Sequence, residues 1–176
     1  MIVGVVSDTH LPRFGRSLPP ELEDGLREAG VEAILHLGDL TAPFVLELLA
    51  AIAPVEAVAG NNDPPALVAR LGTRRVLELD GVRIGMTHGH LGPGLTTRDR
   101  ALRAFDRAAI DVLLFGHSHA PLIETRDRLL LLNPGSPTDR RGQPDFTYAL
   151  LTISGGLASG ELRRFARPPT RSRPSR

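Results

Sequence analysis

At 176 residues the chain suits one domain with a sizeable core. It contains no cysteine, which excludes disulfides and thiolate metal ligands, and no long apolar run, which excludes a membrane-spanning helix. All 21 basic residues are arginine, and six follow Leu162 (Arg163, Arg164, Arg167, Arg171, Arg173, Arg176); without those six, 15 basic residues face 20 acidic ones, so the net +1 covers a body near −5.

Ile2 to Val6 is a near-continuous apolar run, the pattern of a strand buried on both faces. The opening MIVGVVSDTH has neither a basic n-region nor a small-residue cleavage site, so a first strand is expected rather than a signal peptide, and a cytoplasmic location follows. Pro19 to Gly30 predicts a helix, with Leu22, Leu26 and Ala29 on one face and Gly30 at its end. Ala33 to Leu37 is a second strand. Thr41 is placed to cap a helix whose apolar positions are Phe44, Val45, Leu48, Leu49 and Ile52. Val55 to Ala59 is a third strand. Arg74 to Leu79 and Val82 to Thr87 flank Asp80-Gly81, a strong hairpin signal. Thr96 to Ile110 reads as a helix with Ala101, Leu102, Phe105, Ala108 and Ala109 inward and a solvated face of arginines (Arg98, Arg100, Arg103, Arg107). Val112 to Phe115 is a buried strand, followed by four short ones: Leu122 to Thr125, Leu129 to Leu132, Thr147 to Ile153 and Ala158 to Phe165. The economical arrangement is a four-layer α/β/β/α sandwich, two mixed sheets face to face with helices outside. It forms one domain over residues 1–165, with a basic tail at 166–176. That tail is either an electrostatic handle for an acidic partner or a solvated Pro/Arg-rich end. The second reading is preferred, and it argues against a nucleic-acid partner.

Five of the six histidines fall at predicted strand ends, in SDTH (Ser7 to His10), THGH (Thr87 to His90) and GHSH (Gly116 to His119). GDL (Gly38 to Leu40) and GNND (Gly60 to Asp63) occupy two further strand ends. In open α/β sheets ligands bind outside the carboxyl ends of strands, so these segments should meet at one edge. Asp8/His10 and His117/His119 are each separated by one residue. In extended chain that spacing points both side chains the same way. Asp39 lies between these sets, where a carboxylate can bridge two cations. Imidazole, carboxylate and amide donors suit manganese, iron, nickel, cobalt or zinc rather than calcium or magnesium. Two such ions would stabilise the attacking and leaving oxygens of an in-line displacement at phosphorus and generate the nucleophile from a bridging water. His36 reads as a satisfied core histidine. Arg13 and Arg16 are either a phosphate clamp or an ordinary exposed pair.

These segments reproduce, in order, the pattern D-x-H, G-D, G-N-x-[DE], G-H and G-H-x-H, and the chain thereby resembles the calcineurin-like metallophosphoesterase superfamily up to about residue 165. SDTHLPRFGRSLPPEL and NPGS (Asn133 to Ser136) are similar to its small YfcE-like phosphodiesterase branch. The resemblance implies a first metal held by Asp8, His10, Asp39 and His119, and a second held by Asp39, Asn61, His88 and His117, with manganese the leading candidate for both. It also implies a small phosphodiester substrate, and it leaves homo-oligomer formation open. Many superfamily members carry a histidine after the ligand asparagine, proposed to protonate the leaving oxygen. Here that position is Asn62, which cannot serve as an acid near neutrality, so diesters or activated aryl esters are expected to react better than alkyl monoesters. Asp63 is expected to orient the loop or a histidine, and His90 either contacts phosphate or packs beneath the site. The rival expectation is a metal-binding protein-interaction scaffold like the retromer subunit of the same fold, although Asp39 and Asn61 match the catalytic pattern.

Overall fold

A computed structural model describes residues 1–166. The expected basic tail, Ala166 apart, lies outside these residues. Arg163 and Arg164, counted with it above, belong to the last strand.

Among the described residues, ten strands and four helices follow in the order β1 (Ile2–Val6), α1 (Pro20–Glu28), β2 (Ala33–His36), α2 (Phe44–Ala50), β3 (Val55–Ala57), α3 (Pro65–Leu71), β4 (Arg74–Leu79), β5 (Val82–Thr87), α4 (Thr97–Ala104), β6 (Val112–Phe115), β7 (Leu122–Arg126), β8 (Leu129–Asn133), β9 (Phe146–Ser154) and β10 (Leu157–Phe165). They build two five-stranded sheets, β10-β9-β1-β2-β3 and β4-β5-β6-β8-β7. In the first, β1, β2 and β3 run parallel, and β9 returns antiparallel beside β1. In the second, β5, β6 and β8 run parallel between antiparallel edges.

Side-chain alternation makes the layers. On β1, Val3 and Val5 face the second sheet, where they meet Ile84, Met86, Val112, Leu114 and Leu132. Val6 faces outward with Ile34 onto Leu22 and Leu26 of α1 and Val45 and Leu49 of α2. On β6, Val112 and Leu114 point inward while Leu113 and Phe115 pack outward on Ala101 and Phe105. Burial on both faces is why these strands read as unbroken apolar runs. The order of layers is helices α1–α3, sheet, sheet, α4, as expected for the α/β/β/α sandwich.

Three local expectations change. Thr41 does not cap α2. It has φ +70°, its hydroxyl donates to the Leu11 carbonyl, and Pro43 precedes the helix instead. The helix expected to reach Ile110 stops at Ala104, with Phe105 as its cap residue. Ala108 and Ile110 still pack against the Phe105 cluster from a non-helical turn, so burial preserved the apolar pattern without preserving the helix. The helix α3 was not foreseen, although Pro65 at its first turn and Gly72 at its end (φ +69°) are start and stop signals.

Candidate metal centre

Six parallel strands, three from each sheet, bring their carboxyl ends to one edge. Asp8 and His10 follow β1, Asp39 follows β2, Asn61 to Asp63 follow β3, and His88 and His90 follow β5. His117 and His119 follow β6, and β8 ends in Asn133. Backbone bonds from Asp8 N to Gly38 O and from His10 N to Asp39 O, both 3.0 Å, carry the β1–β2 pairing into the site. Glycine permits the close approach there. A β-carbon on Gly60 would sit 2.2 Å from Asp39 Oδ1, and one on Gly116 would sit 2.0 Å from Ser7 Oγ.

Two compact donor groups result, Asp8/His10/His119 and Asp8/Asp39/His88, each with its ligand atoms within 4.8 Å of one another and each buried. His119 Nε2 lies 3.1 Å from Asp8 Oδ1 and 3.4 Å from His10 Nε2. Asp8 belongs to both groups, and Asp39, a member of the second, has its Oδ2 3.3 Å from His88 Nε2 and 3.6 Å from His10 Nε2 of the first. The D-x-H and H-x-H pairs converge, but not through extended chain. Asp8, His10, His117 and His119 all have positive φ, between +46° and +65°, so the pairs are built from left-handed residues.

Neighbouring groups fix how these donors point. The Asp8 Oδ2 accepts from Ser7 Oγ (2.6 Å) and His117 N (3.0 Å), while its Oδ1 is buried without a hydrogen-bond partner. His88 Nδ1 donates to the Leu37 carbonyl at 2.8 Å, which leaves its Nε2 buried and unpartnered toward both carboxylates. His119 Nδ1 donates to the Asp139 carbonyl, so its Nε2 also faces inward. Backbone carbonyls of this kind select the tautomer that presents a lone pair to a cation. Unpartnered Asp8 Oδ1 and His88 Nε2, aimed at one another at 3.8 Å, are buried polar atoms that a divalent ion would satisfy. The donor set therefore fits the group.

The electrostatics agree. Burial would raise Asp8, but His119 and His88 beside it outweigh that and hold its carboxyl below the usual range. Asp39 is likewise held well below the usual carboxylate range, because His88 and the Asn62 amides overcome its burial. Burial alone would push His88 and His119 down. Asp39 and Asp8 beside His88, and Asp8 beside His119, raise them instead. Burial lowers His10, and it lowers His117 to about 4, with nearby His88 adding to the effect on His117.

The remaining expected residues divide. His117 packs its ring 5.1 Å from that of His88 rather than entering either compact group. Asn61 is exposed. Asn62 is the residue brought onto Asp39, its N donating to Oδ1 (2.8 Å) and its Nδ2 to Oδ2 (2.6 Å). Asp63 orients the loop, not a histidine: its carboxylate accepts from Asp39 N, Gly60 N and Thr41 N at 2.6–2.9 Å. His90 lies 5.3 Å from His88 and 6.2 Å from His117 by ring centroids, with Nδ1 buried and unpartnered. Burial, aided by His88, lowers its pKa. His36 is fully buried, accepts from Gly38 N and pairs with Thr9 Oγ1, and burial pushes it down to about 3. Arg13 lies over the Phe14 ring at 5.2 Å. Arg100 is not merely solvated: it donates to Gly89 O at 3.0 Å and Gly94 O at 3.2 Å, holding the loop after His90.

Sequence reasoning, which placed NPGS near the site through the resemblance and otherwise read it as a turn, assigned no role to its side chains or to Thr138 and Asp139 beyond it. Ser136 Oγ donates to Asp8 O (2.8 Å), Thr138 Oγ1 donates to Thr9 O (2.6 Å), and Asn133 Nδ2 donates to Gly116 O (2.9 Å). With Asp139 on His119, one stretch of chain fastens two of the donor segments, Asp8 to His10 and Gly116 to His119. The NPGS resemblance was the available signal.

A sandwich of two sheets with aspartates and histidines gathered at a shared carboxyl edge defines a metal-dependent phosphoesterase scaffold. The chain belongs to the calcineurin-like phosphoesterase superfamily, whose domain model matches residues 1–156. It is 38% identical over 172 residues to a probable metallophosphoesterase of Methanothermobacter thermautotrophicus, covering 98% of this chain and 97% of that one. It is 27% identical over 149 residues to the phosphodiesterase MJ0936 of Methanocaldococcus jannaschii, covering 77% and 83% respectively. Wild-type Vps29 of Entamoeba histolytica complexed with zinc has the same fold, with TM-score 0.75 at 24% identity over 93% of this chain and 99% of that one. The superfamily fold implies divalent metal ions. Among the described residues no helix is long and apolar enough to cross a membrane.

Proposed function

We propose that the chain is a dimetal-dependent phosphodiesterase acting on small phosphodiesters. Asp8, His10, Asp39 and His119 would hold one ion, and Asp39, Asn61, His88 and His117 the other, with manganese the first metal to try. The observation that carries this reading is Asp39 Oδ2, set 3.6 Å from His10 Nε2 and 3.3 Å from His88 Nε2, the place of a bridging carboxylate. When bound, two such ions supply an activated water and neutralise charge developing on the phosphoryl oxygens.

The protein's own residues do the rest. Asn62 fixes the Asp39 carboxylate through two donors and offers no proton to a leaving oxygen. His90 lies beside His88 and His117, where its ring would bond a phosphoryl oxygen. With no acid at position 62, an activated diester is the best-matched substrate.

The test is hydrolysis of bis(p-nitrophenyl) phosphate by metal-stripped protein resupplied singly with manganese, nickel, cobalt, zinc or magnesium, with the monoester alongside. Metal-dependent diester cleavage that disappears in Asp39→Ala is expected. Near-wild-type turnover in Asp39→Ala would overturn the mechanism. Silence under every metal, with two ions bound per chain, would favour the scaffold reading.

A further inference from the structure

The arginines on the loops and helix that follow the donor strands use their guanidinium groups differently. A guanidinium carries five N–H groups in a fixed fork suited to carboxylate or phosphate. Arg100 commits Nε, Nη1 and Nη2 to Gly89 O, Gly94 O and Thr97 Oγ1. Arg98 pairs with Glu124 at 2.9 Å, and Arg140 donates to Gln143 O and Pro144 O at 2.6 and 2.8 Å. Arg13 lies against Phe14. Arg141 differs. It makes one long contact, Nη1 to His117 O at 3.5 Å, and lies 3.9 Å from Asp139 Oδ2 through Nε, with its side chain half exposed.

Its position is also costly. Arg141 has φ +47°, the left-handed region, although Gly142 is its neighbour. Non-glycine residues seldom adopt that conformation, because the β-carbon crowds the following carbonyl. The loop that imposes this conformation is itself anchored to the centre through Asp139 on His119 and Ser136 on Asp8. From this loop the guanidinium reaches the His117 segment.

We infer that Arg141 is a substrate-binding residue that clamps the phosphoryl oxygens of the phosphate ester at the His117/His119 side of the centre. The inference rests on the phosphodiesterase reading and adds to it a residue that fixes the anion. The guanidinium stays charged throughout the working pH range, so it neutralises phosphate without supplying a proton.

The test uses manganese-loaded Arg141→Ala, Arg141→Lys and Arg141→Gly. The glycine variant relieves the left-handed backbone, so failure to fold would not explain its behaviour. Loss of a charge-assisted bond should raise KM for bis(p-nitrophenyl) phosphate roughly ten- to a hundredfold in the alanine and glycine variants. Lysine should restore only part, because it lacks the planar fork. Calorimetric titration of inorganic phosphate into the metal-loaded protein should show the same loss, while manganese affinity stays at the wild-type value. Unchanged KM and phosphate affinity would overturn the clamp. So would a loss matched by weaker manganese binding, since Arg141 would then act by holding the histidine segments. If the wild type cleaves no diester, the phosphate titration still decides. Phosphate binding present in the wild type and lost in both Arg141→Ala and Arg141→Gly would uphold the clamp while the phosphodiesterase reading falls.

Discussion

Replacing Asn133 with alanine should destabilise the metal-free protein by about 2–4 kcal/mol, a figure that comes from three hydrogen bonds with different fates. Asn133 is fully buried at the end of β8. Its Nδ2 donates to Gly116 O at 2.9 Å and Ser118 Oγ at 3.0 Å, and its Oδ1 accepts from Gly135 N at 2.9 Å. Gly116 O keeps a second donor in Ser118 N, so it loses a bond without being orphaned. Ser118 Oγ still accepts from Ala120 N. Gly135 N is the group left buried and unpaired, and an unsatisfied buried donor costs about 1–3 kcal/mol, with about 1 kcal/mol for each ordinary bond lost. Asn133→Asp keeps the acceptor for Gly135 and removes both donors, so it should fall between wild type and alanine. Urea unfolding in chelator, with the slope held constant, measures both. A loss below about 1 kcal/mol in Asn133→Ala would refute the view that this side chain fastens the β6 and β8 ends together.

Two further outcomes follow from the site. Gly60→Ala places a β-carbon 2.2 Å from Asp39 Oδ1 and 2.5 Å from Asp39 N, so the carboxylate must move. Manganese affinity measured by calorimetry should drop by roughly tenfold or more, as for loss of a ligand's support, and a folded variant with wild-type affinity would sink the argument. His36, pushed down to about 3 by burial, stays neutral in the fold while the unfolded chain gains a proton below about 6.5. Its contribution to stability is therefore present at neutral pH and is lost as pH falls toward 3. Relative to His36→Gln, the metal-free wild type should lose about 2 kcal/mol between pH 7 and pH 5. Parallel stability curves for the two proteins would show that His36 does not titrate as described.

The centre was legible because parallel strands announce their carboxyl ends. Once β1, β2, β3, β5 and β6 were read from apolar runs, every Asp-x-His or Gly-His after them had to arrive at one edge. What the sequence hid were contacts that cross the chain. Ser136 Oγ reaches Asp8 O, and Asp139 reaches His119. Arg100 leaves its helix face for Gly89. No local pattern encodes such bonds, because their partners are set by how the two sheets pack. Periodicity failed for a different reason at Phe105. Apolar residues beyond it are buried by α4's cluster whether or not the backbone stays helical. Asn61 and Asn62 show the finest limit. The pattern distinguishes the two positions, yet which amide meets Asp39 depends on the turn that Asp63 closes.

The backbone at the centre argues that the donors, not the fold, set these turns. Asp8, His10, Asp39, His117 and His119 all adopt left-handed conformations. The three histidines cost about 1–2 kcal/mol each against a glycine in the same place, and the two aspartates less, because Asp tolerates this region better. A protein under pressure only to fold would put glycine or asparagine there. Hydrogen bonds recover part of the cost: Asp63 accepts from three backbone N–H groups, and Ser136 and Thr138 hold the Asp8–Thr9 carbonyls. Those bonds aim the side chains but leave Asp8 Oδ1 and His88 Nε2 buried and unpartnered. The buried, unpartnered atoms of Asp8 and His88 would be satisfied by one change, the arrival of divalent cations, whose binding would offset the backbone strain. Metal binding should therefore stabilise the fold as well as equip the site, by about 2.7 kcal/mol at a hundredfold excess over the dissociation constant.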